Sequence, residues 1–210
     1  MIYGFNPNNC FLCLNELKLS YIDLYYVLND QIEKLILNEL SSRWACEHSV
    51  SFAMDAKKVI ENTINNKINP IFEKIIGTIN NISISLAINT KTEFSNIFFE
   101  TKKSNINIGN INEIFDNKKG IDLISVRDLM KSGFDIIDDL VNKALGRAKK
   151  AINSYQGFYG ELSTNKESIY HMIDLVSLNV NELINKLKEL INNSVNLTVR
   201  KYGYTMFSIV

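Results

Sequence analysis

Proline occurs only twice in the 210 residues, at positions 7 and 70, and no run of 18 consecutive apolar residues is present. The first scarcity leaves long segments without a helix breaker, and the second excludes a spanning helix. Charge of one sign is also missing. The 23 basic and 23 acidic residues cancel and are interspersed, so no global field favours nucleic acid or an anionic surface. The densest basic stretch, GRAKK at 146–150, reads as a solvated helix face. The opening MIYGFNPNNCFLCLNEL has no basic n-region and no small-residue cleavage site, so it is not expected to be a secretory signal peptide.

Catalytic signatures are missing too. Histidine occurs twice, at His48 and His171, and neither lies near a nucleophile motif. No phosphate loop, dinucleotide glycine pattern or HExxH occurs, and no Glu-x-x-His pair that a di-metal bundle needs. Asp138 and Asp139 are adjacent, so on a helix they diverge rather than form a dyad. The expectation is a protein that is not an enzyme, with no cofactor and no small-molecule substrate.

Three cysteines, an odd number, argue against a disulfide framework. Cys10 and Cys13 form a CxxC, and Cys46 with His48 would complete four zinc ligands by type. About 32 residues of helix would hold the two pairs roughly 48 Å apart, so no metal site is expected. A redox CxxC opens a helix after a strand, and no such pattern surrounds Cys10. The thiols read as free and buried or half-buried.

What is abundant is helical periodicity. From Cys10 to Ser42, Leu14, Leu17, Tyr21, Leu24, Leu28, Ile32 and Leu35 recur at spacings of three and four. Asn8 and Asn9 are the expected caps, with Pro7 just outside. Ser41, Ser42 and Trp44 interrupt the stripe. It resumes through Phe52, Ala56, Ile60, Ile64, Ile68, Ile71, Ile75, Ile79, Ile82 and Leu86, keeping phase across Pro70, where a kink is expected.

Residues 90–124 differ, with glycines, β-branched residues and an alternating NINIGNIN. Period two at Ile106 and Ile108 suits an extended connector that docks its isoleucines on the helices. Ser125 with Asp128 resembles a capping box opening a third stripe, from Val126, Met130 and Phe134 to Ile152 and Tyr155. Gly157 is the expected C-terminal cap. Thr164 with Glu167 opens a fourth, from Ile169 and Ile173 to Ile191 and Val195.

The fold class expected is all-α: two long helical hairpins packed as an antiparallel four-helix bundle, with a short extended connector. The divisions are 1–89 for the first hairpin, 90–124 for the connector and 125–210 for the second hairpin and tail. A hairpin cannot bury its stripe alone, so the two must pack together. Rods of some 33 residues would be about 50 Å long.

The bends carry a resemblance. Trp44-Ala45-Cys46 lies at the first and Phe158-Tyr159-Gly160 at the second, each aromatic-Xaa-small. A hairpin bent at such a turn resembles the WXG (Trp-Xaa-Gly) family of small proteins exported by type VII secretion systems, and two copies resemble a tandem member. Cys46 stands where that family has Gly, and Phe158 where it has Trp. A large aromatic at a hairpin tip covers the open end and buries roughly 150–250 Å². A small residue two positions on lets the chain reverse closely.

The resemblance implies a non-catalytic type VII secretion protein. It would be a secreted component or a targeting partner or chaperone of a larger effector toxin, acting by helix-on-helix packing. The partners implied are secretion-system proteins or that effector, with a homodimer left open and no nucleic acid. The protein would be secreted without a cleaved signal peptide, or cytoplasmic before export. The family's export signal, Tyr followed four residues later by an acid, is matched in spacing by Tyr170 and Asp174, but inside the fourth stripe. Two alternatives remain: a membrane-active helical toxin component, and a structural subunit of a phage-like assembly.

Overall fold

The first helix is opened by Asn6. Its backbone is extended (φ −102°, ψ 113°), and its side-chain oxygen accepts the Asn8 N–H at 3.0 Å. Pro7 then occupies the first helical turn, where its missing N–H costs nothing, so Asn8 and Asn9 lie inside the helix rather than capping it. The structure, a computed structural model, describes residues 5–40, 43–90, 99–108 and 120–202. The fold is all-α.

Helix α1 (Pro7–Tyr26) continues without a break through two π-helical segments, Val27–Gln31 and Lys34–Glu39. After the first bend, β1 (Trp44–Ala45) leads into α2 (Glu47–Thr63), a π-helical segment (Ile64–Ile68) and α3 (Asn69–Thr90). β2 (Gly120–Ile121) pairs antiparallel with β1, Trp44 opposite Ile121. It precedes α4 (Leu123–Ser154), a 3₁₀ turn (Gly160–Ser163) and α5 (Thr164–Tyr202).

The stripes from sequence are buried nearly throughout. Those of α4 and α5 are complete, from Val126 to Tyr155 and from Ile169 to Val195. One position in the second stripe moves: Ile71 is half-buried, and Phe72 beside it is fully buried. The widened π turn causes this. Asn69 N–H bonds back five residues to Ile64 O, which re-phases the helix just before Pro70 and makes room for its ring. Helical residues run on from Ile64–Ile68 into α3, so Pro70 interrupts nothing.

Three expected caps are displaced. α4 is capped by Asp122, whose carboxylate accepts the Ser125 N–H at 3.1 Å, so Ser125 is a donor in the first turn, not the cap. α4 ends at Ser154, and the residue with left-handed backbone is Gly160 (φ +50°), not Gly157. Thr164 is already helical (φ −63°, ψ −26°) because the 3₁₀ turn precedes it, and its hydroxyl donates to Glu161 O at 3.0 Å.

Packing joins the two halves of the chain. α1 lies along α4, and α2 along α5, while α1 also meets α3 and α4 meets α5. At one end the Asn9 amide donates to Ser154 O (2.9 Å) and accepts from Gln156 N–H (2.7 Å). Midway, Ser20 Oγ donates to Ala144 O at 2.7 Å. At the other end Arg43 Nε donates to Ser125 Oγ at 2.7 Å, and Lys201 pairs with Glu47 at 2.6 Å. Gly133 lets Leu35 come close: a Cβ there would sit 2.6 Å from Leu35 Cδ1.

Candidate functional site

The first bend is closed by an indole with no exposed surface. Trp44 packs on Phe52 at 5.7 Å between ring centroids, and its Nε1–H donates to Thr198 Oγ1 at 3.2 Å. Buried Trp needs a partner for that N–H, and the far end of α5 supplies it. Cys46, also expected in a recognition role, lies half-buried with Sγ 3.4 Å from the same hydroxyl. Its backbone is fully extended (φ −166°, ψ 176°), which any residue adopts, so the bend needs no glycine there. Ser49 secures the turn by accepting the Cys46 N–H (3.0 Å) and donating to Cys46 O (2.6 Å). Ala45 contributes backbone, paired with Gly120.

The second bend is built differently. Phe158 is half-buried, edge-on to Tyr155 at 5.0 Å, and Tyr159 is 47 % exposed. Gly160 is exposed and takes the positive φ. The Tyr155 hydroxyl lies 2.5 Å from Ser83 Oγ in the core. The two bends lie at opposite ends of α5, so Trp44-Ala45-Cys46 and Phe158-Tyr159-Gly160 do not form one surface.

Tyr170 and Asp174 both converge on Lys149 of α4. The Tyr170 hydroxyl donates to Lys149 O at 3.4 Å, and Lys149 Nζ pairs with Asp174 at 2.8 Å. Ile169 and Ile173 beside them are fully buried, so this pair stands in the packed early turns of α5 as an inter-helix contact.

The cysteines are separated as the helix lengths require. Cys10 and Cys13 are buried at the end that holds Ser83 and Tyr155, whereas Cys46 is at the Thr198 end. Burial pushes the Cys13 thiol up to about 12 and raises Cys10 also, which leaves both protonated and poor ligands. Among the described residues no group of three or more His, Cys, Asp or Glu side chains could hold a metal ion. Nor is any described helix long and apolar enough to cross a membrane.

Two features escaped the sequence reading. The first is a second stripe on α1, opposite its core face: Leu12, Leu19, Ile22 and Tyr26 are 64, 42, 43 and 50 % exposed. Spacings of seven, three and four place them on one side of the helix. An open groove of about 850 Å³ runs beside it between α1 and α4. Along it Arg147 pairs with Glu16 and Asp23, and Lys143 with Asp139, and Lys150 lines it as well. The four exposed apolar residues were present in the sequence, masked by the stronger core stripe.

The second is the seat of the connector. Residues 99–108 carry no regular structure, yet helix side chains hold their main chain at successive positions. Lys102 N–H donates to the Tyr21 hydroxyl (2.6 Å), and Lys102 O accepts from Asn69 Nδ2 (2.9 Å). Lys103 O accepts from the Tyr25 hydroxyl (3.0 Å). Ser104 N–H donates to Asn65 Oδ1 (2.9 Å), its hydroxyl to Asn29 Oδ1 (2.6 Å), and Ile106 N–H to Glu61 (3.2 Å). Ile106 is buried and Ile108 half-buried, the alternation expected of an extended segment. Asn29 and Asn65 both sit in π-helical segments.

Comparison with known proteins finds no matching family model and no curated protein or solved structure of significant similarity.

Proposed function

We propose that the chain is a non-catalytic binding protein that engages a larger partner by helix-on-helix packing, in the manner of a tandem WXG protein of type VII secretion. The observation that carries this reading is the exposed apolar stripe Leu12, Leu19, Ile22 and Tyr26. An exposed apolar stripe opposite the core face, bordered by Glu16 and Asp23, is a surface that a second helix can cover, since apolar anchors spaced three, four and seven apart are how one helix receives another. The same reading takes the four rods as an antiparallel four-helix bundle of two hairpins. Contacts from Asn9 to Ser154, Lys67 to Glu182 and Lys201 to Glu47 support that arrangement. Either export with the partner or retention as its targeting chaperone follows from it.

In this reading Trp44 serves the fold and the α1 stripe serves the partner. Co-expression with the products of neighbouring reading frames, followed by light scattering, tests it. The wild-type chain is expected to elute with one such product at fixed stoichiometry. Leu19→Glu with Ile22→Glu is expected to lose it while keeping the wild-type melting temperature. A double variant that still carries the partner would overturn the assignment of the surface.

A further inference from the structure

We infer that the cleft between α1 and the α2–α3 rod is a binding site for an extended peptide, which the chain occupies with its own residues 101–106. A connector that only had to cross the helices could be anchored by apolar side chains, as Phe99 on Tyr21 and the buried Ile106 already do. Here six helix side chains, Tyr21, Tyr25, Asn29, Glu61, Asn65 and Asn69, bond to four strap residues, the consecutive Lys102, Lys103 and Ser104 and then Ile106. Most of those bonds go to backbone N–H and C=O, which every peptide has. Main-chain capture gives affinity, and alternate side chains give selectivity.

Two of the six side chains sit where the helix is locally widened. π-helical turns are rare in proteins, well under about 1 % of residues, and tend to mark functional sites. Two of them carry Asn29 and Asn65, which face each other across Ser104. Asn29 and Asn69 are buried amides whose hydrogen-bonding groups would lack those partners if the strap left without replacement. That cost favours exchange of one extended segment for another over an empty cleft. The occupant the cleft fits is therefore an extended partner segment with the strap's pattern: a small hydroxyl residue at the Ser104 position and a branched apolar residue two places on. This inference concerns the connector seat alone and does not depend on the secretion reading.

The test uses the full chain and a fluorescent peptide of residues 99–108, FETKKSNINI. In Ser104→Ala with Ile106→Ala the strap is weakened and the cleft is untouched. Saturable binding of the peptide is expected there, about tenfold or more tighter than to the wild type, and further addition of Asn65→Ala is expected to abolish it. Equal binding to both chains, or none to a strap variant with wild-type helix content, would overturn the proposal. Hydrogen exchange on the wild-type chain provides a check that needs no variant. The Lys102, Ser104 and Ile106 amides are expected to exchange through a local opening, about tenfold or more faster than the core amides of α4. Exchange of those three only with global unfolding would overturn it as well.

Discussion

Trp44 and Thr198 are 154 residues apart in sequence and 3.2 Å apart in space, and between them they tie the first bend to the end of the last helix. Removing an indole from water is worth roughly 4–6 kcal/mol at about 25 cal/mol per Å². Trp44→Ala is expected to lower the unfolding free energy by about 3–5 kcal/mol, read by urea titration. Thr198→Val, which strands the buried N–H, should cost about 1–3 kcal/mol. The small residues of the two bends should respond oppositely to the motif. Gly160→Ala must place a Cβ at φ +50° and is expected to cost about 1–2 kcal/mol. Cys46→Gly would complete a Trp-Xaa-Gly triplet but relieves nothing at φ −166°, and loosens the unfolded chain, so it is expected to destabilise by about 1 kcal/mol. Matched melting curves of the two variants separate these outcomes.

Buried acids set the response to alkali. Burial holds the Cys13 thiol up from 9.0 to about 12 and the Tyr21 hydroxyl up from 10.0 to about 12, and it raises Tyr155 as well. Above pH 9 the unfolded chain gives up these protons while the folded chain keeps them, so the unfolded state binds fewer protons. Stability is then full below pH 9 and falls as pH rises toward 12. The urea midpoint should drop over that window, and Tyr21→Phe should flatten the part of the drop that begins near pH 10.

At the scale of elements, the helices were legible because their stripes are long and regular, and the caps were not, because neighbouring Asn, Asp and Ser residues compete for one position. Asn6 wins over Asn8 since Pro7 fits only in the first turn. Asp122 wins over Ser125 since its side chain can reach the N–H three residues on. The π segments did leave a sequence signal. Phe52, Ala56, Ile60, Ile64, Ile68, Phe72 and Ile76 are all buried at an unbroken spacing of four. In an unmodified α-helix that spacing drifts by about 40° per step and would carry the last residues off the face. A wider turn corrects the drift. Leu28, Ile32, Ile36 and Leu40 repeat the pattern through the other two π segments. Where α4 crosses the first rod, Gly133→Ala pushes only on the movable end of Leu35 and gains helix propensity, so the two effects are expected to offset and leave stability within about 1 kcal/mol of wild type, measured by the urea midpoint.

At the scale of the whole molecule, each half of the chain finds its main packing partner in the other half, α1 with α4 and α2 with α5. The candidate surfaces were less readable than this architecture. The bend residues stood out in sequence, yet Trp44 faces inward, while the α1 stripe and the connector seat rest on which side of a helix is left uncovered. Periodicity alone assigns a core face; it does not say that a second apolar face stays exposed, nor that Asn29, Asn65 and Asn69 meet around one strap.

The most direct measurement is the mass of the complex formed when the chain is co-expressed with its neighbouring reading frames, wild type beside Leu19→Glu with Ile22→Glu. A partner held at fixed stoichiometry by the wild type and lost by an equally stable variant is the predicted result. A wild-type chain that elutes as a lone monomer in the presence of every neighbouring product would contradict the account.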